Sequence, residues 1–166
     1  AKYGTSVAIN YNSNTSLAKD VCKKVRKFGV NAEIIKANVS EEKEVKYLIR
    51  ETEKKLGPID LLVTNAGILH LPKDVLDLDY KIWKKIMSTN LDGTLLPIKE
   101  VIPGMIKRRK GHVILMGSLA GLYPQMSTVY GGQKGAVHRI AQSLRIELSG
   151  SRVKVSEICP GLSLIH

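Results

Sequence analysis

Five short runs of apolar and β-branched residues recur along the chain, each separated from the next by a stretch with helical spacing. They are "TSVAIN" (5–10), "AEIIKANV" (32–39), "IDLLVTN" (59–65), "HVILMGS" (112–118) and "VKVSEIC" (153–159). Strands that are apolar along their whole length bury both faces. Alternating them with helices predicts right-handed β-α-β units around one parallel, doubly wound sheet of the α/β class. Residues 15–28 carry Leu17, Val21, Val25 and Phe28 on one stripe. Residues 41–56 carry Val45, Leu48, Ile49 and Leu56, with Ser40 as the expected cap and "GP" at 57–58 as the stop. A longer helical region, from about Asp77 to Arg109, is expected to be interrupted near Pro97 and Pro103, and "STNLDG" predicts a local bend at Asn90. A last helix over about 128–148 turns Val137, Ile140, Ala141 and Leu144 inward. The 166 residues show no repeat or linker, so the reading is one domain, 1–166.

Function classes narrow quickly. No apolar run reaches the roughly 18–20 residues that cross a bilayer, and no basic-then-apolar leader opens the sequence. Cys22 and Cys159 stand far apart in apolar surroundings with no metal-ligand spacing, which reads as free thiols of a cytoplasmic protein and no metal site. The net charge of +11 is spread over several segments, without a basic tail or interleaved aromatics, so a nucleic-acid partner is not expected. An anionic small molecule or an acidic protein partner accounts for the charge as well.

In parallel doubly wound sheets, ligands bind beyond the carboxyl ends of the strands. After the third run stands the small-residue turn Asn65-Ala66-Gly67; after the fourth, Ser118; after the fifth, Pro160-Gly161. Twelve residues beyond Ser118, past the loop-like "LAGLYPQMSTV", Tyr130 precedes Lys134 by one helical turn, so both share a face. Tyr80 and Lys84 repeat that spacing, but in an amphipathic stretch with no strand-end serine upstream. That earlier pair reads as a helix surface pair.

Taken in order, these residues resemble the short-chain dehydrogenase/reductase family, over essentially the whole chain, from the second strand of the family fold to the sixth. The resemblance implies a catalytic tetrad at Asn90, Ser118, Tyr130 and Lys134, and a Rossmann-like fold binding a nicotinamide cofactor. Cofactor contacts are implied at Tyr11, Asn12, Ser13, Asn38, Val39, Asn65, Ala66, Gly67, Tyr130, Lys134, Pro160 and Gly161. In the implied chemistry Tyr130 delivers the proton to a developing alkoxide, and the adjacent Lys134 ammonium favours its phenolate. Ser118 holds the substrate oxygen, and Asn90 anchors a water that relays protons to Lys134. Where an acidic residue would bind the ribose hydroxyls of NAD, "INYNSN" (9–14) has no carboxylate, so NADP is the expected cofactor, with NAD the alternative.

The family's glycine-rich phosphate loop and first strand, which lies mid-sheet between its second and fourth strands, have no counterpart here. The last strand is also missing, and "GLSLIH" departs from the family's usual continuation. The expectation is therefore an incomplete sheet from part of a longer chain. The nearest resemblance is to 3-oxoacyl-carrier-protein reductases, with Arg109 in the run Lys107-Arg108-Arg109-Lys110 at a matching position and Arg152 near another. The expected substrate is a small carbonyl or alcohol, free or on an acyl carrier protein, and the expected assembly a dimer or tetramer. A sugar or secondary-alcohol dehydrogenase, or an inactive truncated member serving as an interaction module, are the alternatives.

Overall fold

The structure, a computed structural model, describes residues 1–69, 74–124 and 128–161. Part of the loop between Ser118 and Tyr130, and the segment after Gly161, therefore lie outside the described residues. Strand β1 (Val7–Tyr11) pairs in parallel with β2 (Ala32–Lys36), placing Tyr11 beside Lys36 at the carboxyl tip. Strand β4 (Gly111–Met116) runs parallel between β3 (Leu61–Thr64) and β5 (Val153–Ile158).

The expected parallel α/β architecture is present, but as two half-sheets. Between β1 and β3 runs a cleft of about 730 Å³, with Val7, Ala8 and Asn10 on one wall, Leu61 and Val63 on the other, and Val39, Gly93 and Pro97 among its lining. No strand of the described residues lies between them, in line with the incomplete sheet expected from the sequence.

Helices α2 (Glu42–Leu56), α4 (Gly93–Arg108) and α5 (Thr128–Glu147) close the main core. Val45, Ile98, Val101, Met105, Val137 and Ala141 pack there with Val113 and Leu115 of β4 and Val153 of β5. Each such side chain contributes about 1.5–3 kcal/mol by leaving water. Helix α1 (Thr15–Arg26) packs on β1 and β2 through Ala18 and Cys22 instead of its predicted stripe. Of that stripe Val25 is half-buried while Leu17, Val21 and Phe28 stay exposed, and Leu61 and Val63 of β3 are nearly half exposed, so that strand is not covered on both faces as the sequence predicts.

Two further expectations are corrected. Helix α2 is capped by Glu41, without a side-chain bond, and not by Ser40. The Ser40 hydroxyl and amide both donate to Asn38 Oδ1, while Asn38 N–H donates to Glu44 Oε2 at 2.7 Å. Nor do the prolines interrupt the long helical region: α4 runs straight through Pro97 and Pro103. Burial of Pro97, Ile98, Val101 and Met105 outweighs the cost of a proline inside the helix. The break falls where "STNLDG" predicts a bend, as a π-helical turn over Ser88–Asp92 between α3 (Tyr80–Met87) and α4. Among the described residues, no helix is long and apolar enough to cross a membrane.

Candidate active site

Parallel pairing puts the carboxyl ends of β3, β4 and β5 at one edge, where Asn65, Ser118 and Pro160 follow them. The ends are tied together. Gly117 N–H donates to the Ile158 carbonyl at 2.8 Å, and Leu119 N–H to that of Pro160 at 3.1 Å. Ser118 is 9% exposed and heads a short 3₁₀ turn, Leu119–Gly121, its oxygen accepting from Ala120 N–H at 3.2 Å. That acceptor role leaves the hydroxyl proton to be donated to a ligand.

The 3₁₀ turn is what brings Ser118 to α5. Ala120 lies against Gly131, and Gly121 lies so close to the backbone of Lys134 and Gly135 that a Cβ would collide with both. Tyr130 is half-buried in the first turn of α5, with the Lys134 ammonium 5.9 Å from its ring centre. Lys134 Nζ donates to the Met116 carbonyl at 2.7 Å, which aims it at the end of β4. Burial pulls the Lys134 pKa down from the usual amine range; Glu157, and after it Cys159, push it back up. The pair Tyr80 and Lys84 sits closer, at 4.8 Å, but Tyr80 is 64% exposed and, among the described residues, no strand end faces it. Spacing and distance do not separate the two pairs; surroundings do.

Asn90 is 7% exposed in the π-helical turn and grips the backbone just past the Asn65-Ala66-Gly67 turn. Its Oδ1 accepts from Ile68 N–H at 2.9 Å, its Nδ2 donates to the Ile68 carbonyl at 2.9 Å, and Nδ2 also donates to Gln133 Oε1. The side chain thus fixes the turn, and its backbone carbonyl accepts from the Thr94 hydroxyl. Asn65, Ala66 and Gly67 are exposed, as are Pro160 and Gly161, so these stretches of backbone are open to a ligand.

The residues expected from the sequence at Tyr11–Ser13, Asn38 and Val39 lie on the other half-sheet. Tyr11 is half-buried and Asn12 and Ser13 exposed at the tip of β1; Asn10 donates to the Ala37 carbonyl at 2.9 Å, stapling that tip to β2. Asn38 is half-buried in its own turn, while Val39 packs its side chain against Gly93. Residues 9–14 at this tip hold no carboxylate, and Lys36 stands beside Tyr11.

The model of the short chain dehydrogenase family matches residues 1–164. The chain belongs to this family. Short-chain dehydrogenase relatives include sorbose reductase of Candida albicans, 34% identical over 99% of this chain and 59% of its own length. Among solved structures, an NAD+-bound xylitol dehydrogenase superposes with a TM-score of 0.91 at 26% identity, over 96% of this chain and 62% of the other. A gluconate 5-dehydrogenase from Burkholderia cenocepacia, in complex with NADP and tartrate, gives 0.88 at 27% identity over 97% and 63%. The chain thus spans about three fifths of the length of each of these proteins.

Three polar residues at this short-chain dehydrogenase site carry no role in the sequence reading. Gln133 is fully buried and binds Asn90. Glu157 and His138 pair at 2.7 Å beneath Lys134. The available signal was a single acidic residue inside the otherwise apolar end of "VKVSEIC".

Proposed function

We propose that the protein interconverts a ketone and a secondary alcohol on a small polyol- or sugar-like substrate, with NADP(H) as cofactor. One observation carries the reading: the Ser118 turn is locked onto the first turn of α5, where the Lys134 ammonium stands beside the Tyr130 ring. When bound, the cofactor supplies or accepts the hydride. In the reducing direction the Ser118 hydroxyl donates to the carbonyl oxygen and Tyr130 passes its phenolic proton to that oxygen. The Lys134 ammonium stabilises the phenolate left behind. Asn90 keeps the Asn65–Gly67 turn in place, so that its exposed backbone can border the cofactor. NADP is supported by the absence of any carboxylate from residues 9–14 and by Lys36 beside Tyr11, where a 2′-phosphate gains a cation.

The polyol reading is favoured over an acyl-carrier substrate by position. Lys107–Lys110 precede β4, at the amino edge of the sheet and a full strand away from Ser118. Two of these cations are used locally: Arg108 donates to the Ile59 carbonyl at 2.8 Å and Lys110 pairs with Asp60 at 2.8 Å. The names of the sorbose, xylitol and gluconate relatives agree in chemistry.

The test is NADPH oxidation by the full-length protein with ketoses such as sorbose, against acetoacetyl thioesters. Tyr130→Phe is expected to lower kcat by about 10²–10⁴-fold with an unchanged melting curve. Near-normal turnover by that variant would overturn the mechanism, and a preference for the thioester would return the carrier reading.

A further inference from the structure

The Glu157 side chain is 4% exposed, in a strand whose neighbours are mostly apolar. A carboxylate at that depth is costly unless donors or a countercharge meet it. Its Oε2 accepts from His138 Nδ1–H at 2.7 Å. His138 is itself held: Gln142 Nε2 donates to His138 Nε2 at 2.9 Å, and Arg139 donates to Gln142 Oε1 at 2.8 Å. Arg139 fixes which end of the Gln142 amide faces the ring. That in turn assigns the neutral imidazole tautomer with its proton on Nδ1. A neutral donor satisfies an oxygen without cancelling the charge.

The second oxygen, Oε1, is buried and meets no N–H or O–H donor among the described residues; the Cys159 thiol is the hydrogen-bonding group beside the Glu157 carboxyl. Oε1 lies against Gly117, where a Cβ would collide with it. Gly117 joins Met116, whose carbonyl holds the Lys134 ammonium, to Ser118. Lys134 and His138 are four residues apart on α5, one turn along the same face. The carboxylate therefore lies between the ring that anchors it and the ammonium that can balance it.

We propose that Glu157 is a positioning residue of this site, held by the Arg139–Gln142–His138 chain and holding Lys134 as an ammonium beside Tyr130. The inference rests on the role given to Tyr130 and Lys134 above. Among the described residues, the titratable groups facing Lys134 are Tyr130 from its own helix and Glu157 and Cys159 from β5 and the turn after it. Strand β4 presents only the Met116 carbonyl. Burial lowers the Lys134 pKa, and Glu157 is the stronger of the two groups opposing it. The Cys159 thiol is pushed up by burial and then by Glu157, which leaves Glu157 as the charge facing Lys134 at neutral pH.

Lys134 can be read without turnover, by competitive labelling of lysine amines with acetic anhydride across pH and mass spectrometry of the peptides. Glu157→Gln keeps an acceptor for His138 but removes the charge. It is expected to raise Lys134 labelling roughly tenfold at fixed pH below its midpoint, with surface lysines such as Lys84 unchanged. The alkaline limb of the kcat profile is expected to move down with it. His138→Phe, which takes the donor from the carboxylate and favours its neutral form, moves Lys134 the same way and covers a glutamine variant that does not fold. Unchanged Lys134 labelling in a folded Glu157→Gln variant overturns the proposal, even if Tyr130→Phe is inactive. A shifted Lys134 with an active Tyr130→Phe instead upholds the electrostatic pairing and removes the reaction it was meant to serve.

Discussion

At the residue scale, the candidate side chains stood out because their order matched the strand ends, not because any spacing was distinctive. Tyr80 and Lys84 have the same spacing as Tyr130 and Lys134 and a shorter cation-to-ring distance. What the sequence did not reveal is how far the supporting residues are used up by one another. Asn90, read as the anchor for a water, spends its side chain on both backbone groups of Ile68 and on Gln133. Those partners lie 22 and 43 residues away, beyond the reach of any local pattern. Asn90→Ala leaves the Ile68 groups and Gln133 Oε1 without that partner. It is expected to cost about 1–3 kcal/mol in urea unfolding and to lower activity through a loosened Asn65–Gly67 turn.

At the scale of elements, periodicity located every strand and nearly every helix, and failed where tertiary packing overrode it. Two prolines read as breaks, yet α4 keeps both because its inner face is built into the core. Pro103 is exposed, so its ring contributes little packing while its missing N–H still costs the helix. Pro103→Ala is expected to stabilise the protein by about 1–3 kcal/mol, visible as a higher urea midpoint. Periodicity also misjudged α1. The stripe Leu17, Val21, Val25 and Phe28 was read as the inner face, but α1 ends at Arg26, only Val25 of the four is half-buried, and the side that meets β1 and β2 carries Ala18 and Cys22. Sequence shows that a face exists, not whether something covers it.

At the scale of the molecule, the two half-sheets are linked through α2, which packs on β2 and also on α4. Glu42 reinforces that link: its Oε1 meets Lys99 of α4 at 2.9 Å and Lys46 at 3.0 Å. These hydrogen bonds hold the Glu42 carboxyl down from 4.5 to about 2. A depressed folded pKa gives stability that is present above the unfolded value and is lost as pH falls through the folded one. The pair is fully solvated, so the effect is small and screened by salt. The gap in urea midpoint between wild type and Glu42→Gln is expected to close as pH falls from 4.5 toward about 2, and to narrow in high salt at neutral pH. The division itself has a practical reach. The β1–α1–β2 unit, with the Tyr11 tip, is one continuous stretch of sequence, and the unit bearing Ser118, Tyr130 and Lys134 is another, joined through "GP" at 57–58. On the proposed reading, chimeras spliced at that dipeptide would exchange coenzyme preference between kin while keeping the Tyr130–Lys134 pair.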